Sequence, residues 1–200
     1  MKNPLLAGLL LSLLTVQVPL AHAEKADRDK PMNVEADALR YDDTRQLSVF
    51  TGHVVLTKGT ILIRGGKIEV RQDSQGHQYG VVTAEPGKLA FFRQKREGLD
   101  EYIEGEGETI DYDGRADVVK FISKAQLRRY QGARLNDEFN AGVIVYNNLT
   151  EVFTLDGAPG AGLSGAPAGR VRAMLTPKKA EAPASPLPLR VTPKLREATP

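Results

Sequence analysis

Cysteine and tryptophan are absent from this chain of 200 residues, and histidine occurs only three times. Without a thiol there can be no disulfide, no thiolate metal site, no cysteine nucleophile and no lipid-modified N-terminus, so packing and strand pairing must hold the fold. His22 falls near the start, and His53 and His77 stand apart with no His-x-His or His-x-x-x-His spacing. No zinc centre is expected from them, and no cofactor. Ser164 in "GLSGA" lacks the G-x-S-x-G frame that exposes a nucleophile, and no Gly-rich phosphate loop opens a helix. With no tryptophan and no basic-aromatic stripe, nucleic acid is not an expected partner. Beyond residue 23 no apolar run is long enough to cross a bilayer as a helix.

What is present begins with an export leader. Lys2 supplies a positive start, Leu5 to Val18 an apolar stretch, and Ala21-His22-Ala23 a small-x-small cleavage site, giving residues 1–23 as a cleaved signal peptide. Charge then divides unevenly. Residues 24–157 carry 19 Lys/Arg against 23 Asp/Glu, whereas residues 158–200 carry 7 against 2. One β domain is expected over 24–177, with a Gly/Ala/Pro loop at 157–169 before a last strand, "RVRAMLTP", that Pro177 ends. Residues 178–200 are Pro- and Ala-rich and basic, and read as a disordered tail.

From Met32 to Leu155 the chain consists of short runs rich in Val, Ile, Thr, Tyr and Phe, punctuated by Gly, Asp and Asn. Such runs are strands, and turns at this density imply well over ten of them with little helix. "HVVLT" and "TILIR" flank Lys58-Gly59, which reads as a tight hairpin turn with Lys58 facing solvent. A repeat emerges when the turns are aligned. Tyr41-Asp42-Asp43 is followed at offsets six, nine and fifteen by Leu47, Phe50 and Leu56, and Tyr112-Asp113-Gly114 by Val118, Phe121 and Leu127. A partial copy at Tyr146-Asn147-Asn148 has Val152 and Leu155 at the first two offsets. Repeated strand-turn-strand units stack and bury their apolar faces against each other. Phe50, Val54 and Leu56 share one parity, as do Phe121, Ala125 and Leu127, so they should line an interior, with a bulge or a bend expected between Leu47 and Phe50.

The acids of "DEYIEGEGETIDYDGRAD" raise an alternative, an exported carbohydrate-active enzyme or sugar-binding module on a β scaffold. Its carboxylates would come from Glu101, Glu104, Glu106, Glu108, Asp111 and Asp113. Acids at period two separated by Gly are more simply a solvated strand face, and an EF-hand loop would need further ligands and a terminal Glu.

The ordered pattern resembles a known family. "KPMNVEADALRYDDTRQLSVFTGHVVLTKGTILIRGGKIEV", then "GKLAFFRQ", "EGEGETIDYDGRADVVKF", "AGVIVYNNLTEVFTL" and "GRVRAMLTP", are similar to the periplasmic lipopolysaccharide-transport protein A (LptA, OstA-like) family across about residues 31–177. The resemblance implies an all-β fold, a twisted open β-jellyroll of stacked short antiparallel strands, with no catalytic activity. It implies a periplasmic protein that shields the acyl chains of lipopolysaccharide. It also implies head-to-tail joining, with itself and with like jellyroll domains of inner-membrane and outer-membrane transport components. Parity and family match together give the lipid-facing set as Met32, Val34, Phe50, Val54, Leu56, Ile61, Ile63, Phe91, Tyr112, Phe121 and Leu127. The strands around 32–38 and 170–176 are the expected joining ends.

Overall fold

The computed structural model describes residue 27 and residues 30–96, 99–157 and 169–177. The leader with its cleavage site, most of the 157–169 loop and the tail from 178 lie outside the described residues. Among the described residues, twelve strands make up the order: β1 (Met32–Glu35), β2 (Ala38–Asp42), β3 (Leu47–Lys58), β4 (Ile61–Gln72), β5 (Gln78–Thr83) and β6 (Ala90–Lys95), then β7 (Glu101–Gly107), β8 (Thr109–Asp113), β9 (Val118–Gln131), β10 (Arg134–Asn147), β11 (Val152–Asp156) and β12 (Arg172–Leu175). Every pairing is antiparallel.

Four long strands generate the architecture by belonging to two layers. The late half of β3 pairs β1, and its early half pairs β2. Strand β4 meets β6 through Leu62–Arg64 and β5 through Lys67–Gln72. Strand β9 meets β8 through Val118–Ile122 and β7 through Gln126–Gln131, while β10 meets β12 through Asp137–Asn140 and β11 through Val143–Asn147. One layer therefore runs β1-β3-β4-β6-β7-β9-β10-β12 and the other β2-β3-β4-β5-β8-β9-β10-β11, the two faces of a jellyroll. The four outermost strands are only four or five residues long, the usual way of limiting an unpaired edge.

The sequence repeat has a physical basis in the turns. At offset one, Asp42, Asp113 and Asn147 each accept a hydrogen bond from the backbone N–H at offset four, that of Arg45 (3.1 Å), Ala116 (2.9 Å) and Thr150 (3.0 Å). Such side-chain-to-backbone closure is what selects Asp and Asn in turns. At offset five each copy takes a left-handed backbone, at Gln46 (φ 49°), Asp117 (φ 53°) and Glu151 (φ 57°).

The expected bulge between Leu47 and Phe50 is corrected: β3 pairs β4 without interruption over Leu47–Thr51, and the register shifts between Thr51 and Val54. There Gly52 and His53 both have positive φ, and a side chain at Gly52 would strike Asp37. Strand β9 bends at the same offsets of its own repeat, at Ser123 (φ 60°) and Lys124 (φ 55°), and shifts register against β10 between Ile122 and Ala125. One extra residue kinks the strand, and the kink carries it from one layer into the other.

The core lies between the layers. Phe92, Ile103 and Leu127 from one and Ile68, Ile110, Phe121 and Ile144 from the other are fully buried. Phe121 meets Phe92 edge-on, with centroids 5.7 Å apart at 70°. Gly105 makes this contact possible, because a Cβ there would sit 2.2 Å from the Phe121 ring. The alternating Glu-Gly pattern of β7 thus has Gly facing the core. Glu104 and Glu106 face outward into ion pairs with Arg93 (3.5 Å) and Arg128 (3.0 Å), and Glu108, just beyond the strand, pairs with Lys124 (2.7 Å).

Candidate functional site

Ten of the eleven residues singled out from the sequence stand on the inner faces. Val54, Leu56, Ile61, Ile63, Tyr112, Phe121 and Leu127 are buried, and Met32, Val34 and Phe50 are half-buried against the same core. Phe91 is the exception and is corrected. Strand β6 alternates with Ala90, Phe92 and Gln94 inward, which turns Phe91 outward, opposite Arg64, whose guanidinium carbon lies 5.7 Å from its ring centroid. Lys58 is also corrected. It ends β3 on the parity of Val54 and Leu56, is only 6% exposed, and donates to Gln78 Oε1 at 3.3 Å. The turn beyond it is Gly59-Thr60, which Asp27 caps by accepting from the Thr60 N–H at 2.6 Å.

Burial falls from the centre of the sandwich toward its ends. At the β1/β2 end an open cleft has Met32, Val34, Phe50 and Val70 as its apolar floor and Tyr41, Gln46, Ser48, Gln72 and Gln78 as its polar rim. A tighter apolar space continues inward past Met32, Leu56, Ile63 and Val82 to Tyr112. Strand β2 overhangs this mouth. Leu39 pairs with Phe50 and Tyr41 with Ser48, so both point toward the interior, yet they are 59% and 56% exposed. At the β11/β12 end Phe153 stacks on Tyr146 at 4.7 Å and on Phe139 at 6.0 Å, and Leu175 is 66% exposed. Parity counting overlooked Leu39, Tyr41, Val70 and Phe153, although the repeat could have flagged two of them: Tyr41 heads the first copy, and Phe153 directly follows the offset-six residue of the third.

Beside the mouth, the rim loop 73–77 is organised by one carboxylate. Desolvation of Asp73 opposes its ionisation, but it is outweighed by hydrogen bonds from the His77 N–H (2.9 Å), the Tyr79 hydroxyl (3.0 Å), the His77 ring (3.1 Å) and the Gln75 N–H (2.9 Å), which hold the pKa at about 2. The ordinary value is 3.8, so the folded state is favoured above about pH 4, and that contribution disappears as pH falls through 2. An NMR titration should show the Asp73 carboxyl and the His77 amide shifting together with a midpoint near 2; a midpoint near 4 would mean the loop bonds do not persist in solution.

The mouth at the β1/β2 end sets an apolar floor beneath a polar rim; the acids considered for glycoside chemistry lie elsewhere. Glu104 and Glu106 are on the outer face of β7, Glu108 beyond its end pairs with Lys124, Glu101 pairs with Arg96, and Asp113 caps its turn. A family model described as LptA/(LptD N-terminal domain) LPS transport protein matches residues 33–152, the span from β1 to the start of β11. The chain belongs to this family. Among LptA-family proteins, it is 29% identical over 176 residues to the lipopolysaccharide export system protein LptH of Pseudomonas aeruginosa, covering 88% of this chain and 94% of that one. Identity to the lipopolysaccharide export system protein LptA of Escherichia coli K12 is 33% over 118 residues, 59% of this chain and 62% of the relative. The fold is shared with the crystal structure of LptH, described as the LptA homologous periplasmic component of the conserved lipopolysaccharide transport device of P. aeruginosa. The TM-score is 0.65 at 24% identity, over 76% of this chain and 99% of that one. The LptA-family jellyroll is thus the scaffold on which these interior residues sit.

Proposed function

We propose that this chain is exported to the periplasm, with its leader cleaved after Ala23, and there binds lipopolysaccharide, holding the acyl chains between its two layers during transport to the outer membrane. The observation that carries the reading is the mouth, where an apolar floor of Met32, Val34, Phe50 and Val70 continues into the core of an LptA-family jellyroll. Each buried methylene is worth ~0.8 kcal/mol, so an acyl chain of about a dozen carbons resists water by roughly 10 kcal/mol. An apolar sleeve removes that barrier without bond chemistry.

Length bears on assembly. Eight ladder positions at ~4.8 Å give a sleeve of about 35–40 Å, so one copy does not reach between two membranes. Strands β1 and β2 stand at one end and β11 and β12 at the other, each with one edge unpaired among the described residues. Strand addition at these edges would join copies head to tail and link them to like jellyroll domains of inner-membrane and outer-membrane partners.

The test is a photo-crosslinking residue placed at Phe50, and separately at the outward, exposed Lys120, in intact cells. Lipopolysaccharide adducts should form at 50 and not at 120. Failure at 50, repeated at Val34 and Tyr112, would leave the interior a packing core and remove the carrier role.

A further inference from the structure

The two long margins of the sandwich are built differently. Along one, β3, β4, β9 and β10 pass from layer to layer, β3 and β9 through left-handed kinks, so continuous backbone joins the layers and this is the hinge margin. Along the other, turns meet among the described residues: 59–60, 96 with 99–100, and 132–133 on one layer, and 43–46, 73–77, 114–117 and 148–151 on the opposite one. Side chains tie the layers there. Lys58 reaches Gln78 at the β1/β2 end. Farther along, Arg96, which follows β6, places one guanidinium nitrogen on Glu101 of its own layer and the other on Glu151 in the turn between β10 and β11.

The two halves of this second tie are unequal. Arg96 is fixed to its layer, since its backbone N–H also donates to the Glu101 carbonyl at 2.8 Å and its side chain is only 13% exposed. Glu151 is 49% exposed and stands on the opposite turn, so it is the half that can let go. Behind the tie the centre is filled. Ile103, Phe121 and Ile144 are fully buried and Tyr146 nearly so, which leaves no room for an acyl chain unless the free margin parts.

We propose that Arg96 and Glu151 form a latch across the free margin, and that its release is the step that admits an acyl chain between the layers. The second half of this statement rests on the lipid-carrier reading above. The hinge margin supplies the pivot, and the latch adds to the resistance of the packed centre. Charge at position 151 sets how far the sandwich opens.

With no native cysteine, Leu99→Cys and Leu149→Cys place spin labels on exposed positions of the two facing turn regions. Pulsed electron resonance on the full mature chain would then compare Glu151, E151Q and E151K. The interlabel distance should lengthen and broaden in that order, and 1 M salt should move the Glu151 form toward E151Q. Uptake of fluorescent lipopolysaccharide should rise about threefold or more in E151K, the size expected of a partly exposed ion pair. A thermal scan of each form separates opening from general destabilisation, which would lower the midpoint without moving the labels. Unchanged distances in E151K overturn the latch. Longer distances with unchanged uptake, where the Glu151 form does take up lipid, overturn its role in admission. Longer distances with no uptake in any form support the latch and overturn the lipid reading instead.

Discussion

Replacing Phe121 by alanine should cost about 3–5 kcal/mol of unfolding free energy, the range for truncating a fully buried aromatic ring. The ring has no exposed surface, packs edge-on against Phe92 from the opposite layer, and fills the hollow left by Gly105. None of these neighbours can close the resulting void, because Phe92 is held in register with Gly105 and Ile63 by β7 and β4. Urea denaturation of the mature chain measures the change directly. Phe50→Ala, at the half-exposed mouth, should cost roughly 1–2 kcal/mol, since less area leaves water there on folding. The contrast separates the two parts of the interior. Comparable small losses at both positions would mean that the centre is loosely packed, and a latch would then have nothing to guard.

Much of this arrangement is legible in the sequence, and the reasons are local. The Asp42, Asp113 and Asn147 turns repeat because each side chain closes its own turn within three residues, so the unit is written in adjacent sequence. The Glu-Gly alternation of β7 declares its outward and inward faces in the same way. The misplacements arise where partners are distant. In "AFFRQ" both parities carry a Phe, and only the opposition of Phe92 to Ile63 and Gly105 decides which ring goes inside. Parity counted from Leu47 suggested a bulge too early, because Leu47 is simply outward and the real shift waits for the left-handed pair Gly52-His53. Lys58 looked like a turn lysine, yet its turn starts one residue later and its amine is taken up by Gln78, twenty residues away. Arg96 and Glu151 are 55 residues apart, and neither carries any local mark of its partner.

Asp137→Ala should be the second most damaging change, and for a polar reason. Asp137 is 1% exposed on the inner face of β10, opposite Arg129 on β9. One carboxylate oxygen takes the Arg129 guanidinium and the other accepts the Thr176 N–H at 3.0 Å, just beyond β12. Removing it strands a guanidinium whose Nε has no partner among the described residues. Breaking a fully buried pair costs about 3–5 kcal/mol, but Arg129 is 29% exposed and can recover some hydration, so about 2–3 kcal/mol is expected. The loss should fall unevenly. Strand β12 is held by only four paired positions, Asp137 to Asn140, and Asp137 lies at one end of them. Hydrogen exchange at Ala173, Met174 and Leu175 should therefore accelerate in D137A well before the centre loosens, whereas D137N, which keeps an acceptor for the Thr176 N–H, should retain most of that protection. If β12 is the strand that receives a neighbouring copy, D137A should lose self-association while its centre stays folded. Unchanged exchange in D137A would show that backbone pairing alone secures this edge, and assembly there would have to be explained without the carboxylate.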